Sequence, residues 1–293
     1  VILPALSYIS TASAISYQGA VPVFVDVNFN NNCIDASKIE DAITKKTKAI
    51  SFIDYGGNPA HHEEIMKISR KHKIPIIHDG AQSLGAYLKN KPLGANGDIS
   101  TMSFHMAKVV TTIEGGAVFT NNYKFYKNLL ILRNIGESPN KKYHHSKLGT
   151  NARMTELQAG FGLAQLKKLK FILKQRKRVA QYYDYKFKKI ENIKRFKVLE
   201  NAKSANFFYA VMIPKRDFVA KKLKKIYGID TRIAYPKPIY KQEMYKNNKL
   251  KYKKFGCKNT EEISKKILNL PIYPQMKKNE INYVANTLIK LVK

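Results

Sequence analysis

Short apolar runs alternate with stretches of helical periodicity from the first residues onward. Val1-Ile2-Leu3-Pro4 already reads as a strand, and Val21-Pro22-Val23-Phe24-Val25-Asp26 has the length and β-branched content of a buried one. Asp35 is placed to cap a short helix over 36–43, where Ile39, Ala42 and Ile43 share a face. Ala49-Ile50-Ser51-Phe52-Ile53-Asp54 predicts the next strand, broken by Gly56-Gly57-Asn58-Pro59. A helix over 61–72 and a strand over 74–78 follow. Such alternation predicts an α/β fold, a mainly parallel sheet flanked by helices on both faces. Ligands of such sheets collect beyond the carboxyl ends of the strands, where Asp54 and Asp79 fall.

Residues 97–104 and 116–120 predict two further strands, and 123–133 a helix. The polar, glycine-bearing stretch from Asn134 to Asn151 is long for a connection and predicts a functional loop. Thr155 with Gln158 forms a capping-box pattern opening a long helix over 155–188, along which Leu157, Phe161, Ala164, Leu169, Ile172, Arg176 and Val179 keep near-helical spacing. The pattern then resets: a strand over 207–213, a helix over 217–227 ended by Gly228, a strand over 231–235, a Lys/Asn/Tyr-rich loop around 237–255 and an amphipathic closing helix over 279–291. Two domains are expected, a large one over 1–185 and a small C-terminal α/β domain over 186–293.

At 293 residues and 44% apolar content the chain can bury a large core. Its net charge of +32 is unevenly placed, with ten Lys/Arg against nine Asp/Glu in residues 1–100 and 43 against 12 in the rest. Those lysines are scattered along helical periods without a nucleic-acid-binding signature, so a basic surface suited to an anionic small substrate is the expectation, and nucleic acid is not. Cys33 and Cys257 lie far apart with no metal-ligand spacing, which predicts reduced thiols and no metal. Hydroxyls, Pro4 and two tyrosines interrupt the apolar first twenty residues, and no basic leader precedes them. Neither a signal peptide nor a membrane helix is expected, and the cytoplasm is the expected compartment. The opening on Val1, inside a strand, predicts that sequence is missing upstream.

The chemistry concentrates in two residues. Asp79 closes the run Ile74-Pro75-Ile76-Ile77-His78-Asp79, and Lys108 follows Ser103-Phe104-His105-Met106-Ala107, ahead of Glu114-Gly115-Gly116. A carboxylate at one strand end and a lysine after a later strand suit a pyridoxal phosphate site. The amine condenses with the cofactor aldehyde, and the acid keeps the pyridine nitrogen protonated so that the ring accepts electrons. Lys108 lies among Phe104, Met106, Ala107, Val109 and Val110, and loss of hydration there lowers an ammonium pKa toward the neutral amine that condensation needs.

Over nearly its whole length the chain resembles the DegT/DnrJ/EryC1/StrS family of pyridoxal-phosphate-dependent nucleotide-sugar aminotransferases. The resemblance runs through Pro4-Ala5-Leu6-Ser7-Tyr8-Ile9-Ser10-Thr11-Ala12, Gly19-Ala20-Val21-Pro22-Val23-Phe24-Val25-Asp26, His78-Asp79-Gly80-Ala81-Gln82-Ser83-Leu84-Gly85-Ala86, Ser103-Phe104-His105 with Lys108, Asn151 with Arg153-Met154-Thr155-Glu156-Leu157-Gln158-Ala159, and Leu270-Pro271-Ile272-Tyr273-Pro274. It implies the type I fold of pyridoxal phosphate enzymes and assigns roles. Lys108 is the cofactor amine and proton shuttle, Asp79 the partner of the pyridinium nitrogen, Gln82 the contact of the phenolic oxygen, Ser103 a phosphate ligand, and Tyr8 the stacking ring. Asn151 reaches the phosphate of the neighbouring subunit's cofactor, implying a homodimer with shared active sites. Arg153, Tyr235 and Tyr240 fall where members meet the sugar, although many carry histidine in place of Tyr240.

The resemblance further implies transfer of an amino group from glutamate to a keto group of a nucleotide-linked sugar. His105 is expected to pack rather than react. The family's dehydratase branch replaces the lysine by histidine, so Lys108 argues against that branch. Members also carry several dozen residues upstream, including a turn that gives backbone N–H groups to the phosphate. The alternative is a non-catalytic cofactor-binding regulator or an inactive truncated paralogue.

Overall fold

The computed structural model describes residues 1–94, 96–247 and 250–293. In chain order it contains β1 (Ile2–Pro4), α1 (Ile9–Tyr17), β2 (Val23–Val25), β3 (Ile50–Ile53), α2 (His62–His72), β4 (Ile76–Asp79), β5 (Tyr87–Leu88), β6 (Lys91–Pro92), β7 (Ile99–Ser103), β8 (Gly116–Phe119) and α3 (Tyr123–Arg133). Then come α4 (Glu156–Lys167), α5 (Leu169–Phe187), β9 (Lys194–Arg195), β10 (Ala202–Lys203), β11 (Tyr209–Met212), α6 (Arg216–Tyr227), α7 (Glu243–Lys246), β12 (Lys253–Phe255), α8 (Lys258–Lys266), β13 (Ile267–Leu270) and α9 (Lys278–Val292).

The main sheet runs β12-β2-β1-β3-β4-β7-β8. Every pair in it is parallel except β7 with β8, as an α/β chain with crossover helices requires. Its inner strands are buried on both faces, so Ile50–Ile53 can be apolar almost throughout. Ile2, Ile50, Phe52, Ile65 and Ile76 belong to one core. A second core lies entirely within 179–292. There α5, α6 and α9 contribute apolar faces alongside the antiparallel sheet β13-β11-β9. Tyr183 packs its ring 5.7 Å from Phe187 and 4.8 Å from Tyr209, contacts worth about 0.5–1.5 kcal/mol each beyond area burial. The chain after 186 is not confined to this unit. Lys253–Phe255 returns to the main sheet as a parallel edge strand beside Val23–Val25.

Several elements differ from the sequence expectation. Residues 36–43 form two 3-10 turns, Ala36–Lys38 and Glu40–Ala42, because so short a segment gains too few bonds to sustain an α-helix. Asp35 nevertheless caps the first by accepting from the Ser37 N–H at 3.1 Å. The helix over 155–188 is divided at Lys168, whose N–H takes a 3-10 bond to the Gln165 carbonyl. Residues 231–235 supply only an isolated bridge from Arg232 to Asn269, with Pro236 and Pro238 close behind. The stretch 237–255 carries α7 and β12, with Asn248 and Lys249 outside the described residues. Helix α1 was hidden by its serines and threonines, which are indifferent helix formers.

Candidate active site

Asp79 ends β4, in register with Thr101 of β7, so its side chain sits at the carboxyl edge of the sheet. Thr11, in the first turns of α1, donates its hydroxyl to Asp79 Oδ2 at 2.8 Å, and the Ala81 N–H donates to Oδ1 at 3.1 Å. These two donors fix the carboxylate in place at the sheet edge. Lys108 lies in the loop joining β7 to β8, closed by Phe104 N–H to Gly115 carbonyl at 2.9 Å and Thr112 N–H to Phe104 carbonyl at 2.8 Å. Its Nζ stands 4.9 Å from the centroid of Phe207. Burial holds the Lys108 ammonium below the ordinary lysine range, and the charge of Asp79 works against that shift without cancelling it. A partly desolvated amine thus faces a held carboxylate.

Gln82 is fixed at both ends. Its Oε1 accepts from the Gly56 N–H at 2.6 Å, and its Nε2 donates to the Tyr235 hydroxyl at 3.1 Å. Gly57 makes the approach feasible. Its φ is +80°, and a Cβ there would come within 2.9 Å of the Gln82 carbonyl and 2.7 Å of the Ala205 Cβ. Tyr235 lies 6.1 Å, ring to ring, from both Tyr8 and Tyr55. Tyr8 itself is 58% exposed at the start of α1, with its ring free to receive a planar ligand. Tyr8, Asp79, Gln82, Ser103, Lys108 and Tyr235 all line one cavity of about 740 Å³, within the range of small-molecule sites.

Three expected residues lie elsewhere. Tyr240 is 3% exposed in an apolar cluster with Leu3, Phe24 and Tyr245, its ring 6.0 Å from Phe24 and its hydroxyl donating to Glu261 Oε1 at 2.8 Å. The Ile239 N–H is tied to the Ala5 carbonyl at 2.9 Å, so this turn is drawn against the sheet edge and Tyr240 packs there instead of meeting a substrate. Asn151 bridges to Asn134 through the backbone, and the Arg153 guanidinium donates to the Asn134 side chain; both are exposed and outside the cavity lining, and for Asn151 that is compatible with the expected contact to a neighbouring subunit. His105 is at the cavity wall and exposed, 3.6 Å from Glu114, so it is not the packing residue expected.

The opposite wall comes from the later half of the chain, through Arg176, Phe207, Arg232, Asn269 and Tyr273. Sequence reasoning missed these as site residues. Arg176 read only as part of a helical spacing, and Asn269 lay in a segment without a motif. For Asn269 the one early signal was polarity inside the apolar run Ile267-Leu268-Asn269-Leu270, whereas Arg176 was masked by the basic residues around it.

Behind the cavity lies a polar cluster that the sequence also did not announce. Asp54 accepts from His62 Nε2 at 2.7 Å, His78 Nε2 at 2.9 Å, Ser83 Oγ at 2.7 Å and the Ala60 N–H at 2.9 Å. All three side-chain partners are buried. Burial alone would push the Asp54 carboxyl up, but the two imidazoles override it and hold it well below the usual carboxylate range. Asp54, His62 and His78 are a metal-ligand set by type. Their separations are hydrogen-bond lengths, and each Nε2 is satisfied by the carboxylate itself.

A mainly parallel α/β sheet with a half-buried lysine and a carboxylate at its carboxyl edge suits a class of enzymes acting through a lysine-bound aldehyde cofactor. The match to known proteins is narrower. The model of the DegT/DnrJ/EryC1/StrS aminotransferase family covers residues 1–289, and the chain belongs to that family. It is 31% identical to GDP-perosamine synthase of Escherichia coli O157:H7 over 98% of this chain and 78% of that protein. Among solved structures, PseC of Helicobacter pylori, an aminotransferase involved in the biosynthesis of pseudoaminic acid, superposes with TM-score 0.91 and 29% identity over 99% of this chain and 79% of its own. The PLP form of the sugar aminotransferase Spr1654 from Streptococcus pneumoniae gives 0.90 and 26% over 99% and 80%.

Proposed function

We propose that this chain is a pyridoxal-phosphate-dependent aminotransferase that moves an amino group from glutamate to a keto group of a nucleotide-linked sugar. The observation that carries the reading is the meeting of a half-buried Lys108 with a hydrogen-bonded Asp79 in one cavity. The cofactor, once bound, supplies an electrophilic aldehyde and a ring that accepts electrons. The residues present suit it: an amine with depressed pKa, a carboxylate held by two donors, an open tyrosine face and a serine hydroxyl. Lys108 contributes the attacking nitrogen and later carries protons at Nζ, Asp79 holds a proton on the ring nitrogen, and Gln82 orients the phenolic oxygen. Ser103 serves the phosphate, Tyr8 covers the ring, and Tyr235 faces the sugar.

The names of the relatives support a nucleotide-sugar substrate, with GDP-perosamine synthase the plainest instance. A homodimer with shared sites is part of the reading. Asn151 and Arg153 are exposed beside Leu148 and Leu157, which are 97% and 88% exposed and large enough to make an apolar patch worth covering. A cytoplasmic setting is part of it too, supported by two free, buried thiols. Among the described residues no helix is long and apolar enough to cross a membrane. The non-catalytic alternative is not favoured, because an inert protein has no need of a desolvated amine at Lys108. Lys108→Ala is expected to retain the fold by circular dichroism while abolishing sugar amination and the absorbance of bound cofactor. Amination at the parental rate by that variant would overturn the reading.

A further inference from the structure

We infer that Arg176 and Asn269, with Arg232 beside them, form the subsite that takes the α-carboxylate of the amino donor. This rests on the aminotransferase reading and deepens it. Arg176 projects from α5 into the cavity wall, and its Nη1 donates to the carbonyls of Asn206 and Phe207 at 3.0 and 3.2 Å. Both acceptors are neutral. Among the described residues no carboxylate lies within ion-pair distance of this guanidinium, and its Nε is buried without a partner. Burial draws its pKa down to about 10, with no acid to oppose the shift. A desolvated, unpaired cation is costly to the free protein and ready for an anion.

Asn269 adds an independent sign. It is 4% exposed, lines the same cavity, and leaves both Nδ2 and Oδ1 without a hydrogen bond. The Tyr55 hydroxyl beside it donates its proton to the Ala234 carbonyl and so has none to offer Asn269 Oδ1. Two backbone bonds, at 3.0 and 2.8 Å, couple Asn269 to Arg232, which lines the cavity as well. The two acidic side chains of the cavity do not neutralise this wall. Asp79 is held by Thr11 and Ala81, and Asp230 stands 3.3 Å from Lys224.

The chemistry of these groups selects the ligand. A phosphate or diphosphate offers acceptors almost exclusively, whereas Asn269 presents an unpaired acceptor beside its unpaired donor. An α-amino acid carries both kinds of group on adjacent atoms, and guanidinium with amide N–H is a natural seat for its carboxylate. Placement agrees, since Phe207 carries Lys108 Nζ over its ring and Arg176 on its carbonyl, so one residue separates the reacting nitrogen from the cation.

The test uses the whole protein with 2-oxoglutarate, inorganic pyrophosphate and pyridoxal phosphate as separate calorimetric probes. Asn269→Leu removes an amide that has no partner, so its melting midpoint should not fall, and 2-oxoglutarate binding should weaken roughly ten- to hundredfold. Arg176→Lys should weaken it similarly, with pyrophosphate and pyridoxal phosphate held within about twofold. With the holoenzyme, parental discrimination between glutamate and 4-aminobutanoate, which lacks the α-carboxylate, should collapse in both variants. Unchanged 2-oxoglutarate binding overturns the inference, as does equal loss of pyrophosphate or of the cofactor, which would assign the wall to a phosphate. A parental protein whose bound-cofactor absorbance ignores every amino donor refutes the aminotransferase reading, whereas the probes above judge the subsite itself.

Discussion

Asp54 takes four donors on two oxygens while wholly withdrawn from water. His78 precedes Asp79 and Ser83 follows Gln82, so the same cluster anchors both cavity-lining residues from behind. Removing the carboxylate strands two imidazoles and a hydroxyl, and Asp54→Ala should lower unfolding free energy by about 3–5 kcal/mol in urea titrations. The pH dependence follows from the depressed carboxyl. Its stabilisation is fully present above the ordinary carboxylate range and is lost as pH falls through the lower folded value. The gap between parent and variant should therefore be constant near neutrality and shrink in acid. A gap that widens on acidification would contradict this account of the cluster.

At the scale of elements, the start of α4 is tied to the loop that bears Lys108. Thr155 and Gln158 form a reciprocal capping box, and Gln158 Nε2 also donates to the Glu114 carbonyl at 2.9 Å. Thr155→Ala is expected to cost about 0.5–2 kcal/mol in chemical denaturation and to loosen the 104–115 loop, seen as faster amide exchange there. The capping pair was legible because its two residues are near neighbours. So were β2, β3, β7 and α3, whose apolar periods are local, and Asp79 and Lys108, which stand at strand ends. Arg232 and Asn269 were not legible, because their meeting depends on a bridge between distant segments. Tyr240 misled for the same reason: its turn is set by a bond to Ala5.

On the scale of the whole molecule, exposed apolar side chains are dense from Met106 to Phe171, with Tyr143, Leu148, Leu157 and Leu163 open to solvent on the segments around Asn151. Leu157→Lys should shift sedimentation from dimer to monomer without changing far-UV dichroism, and a parent that sediments as a monomer at micromolar concentration would refute the paired assembly. The cavity wall, for its part, is drawn from residue 8 at one end to 273 at the other. The hydrocarbon that dries Lys108 is a ring from Phe207, a full hundred positions downstream by order of magnitude. Divide the gene between them and one product keeps a wet, fully charged surface lysine while the other keeps an aromatic with nothing to shield. The desolvated nitrogen is thus a property of the finished chain, acquired only when its last third has closed over the loop that holds Lys108.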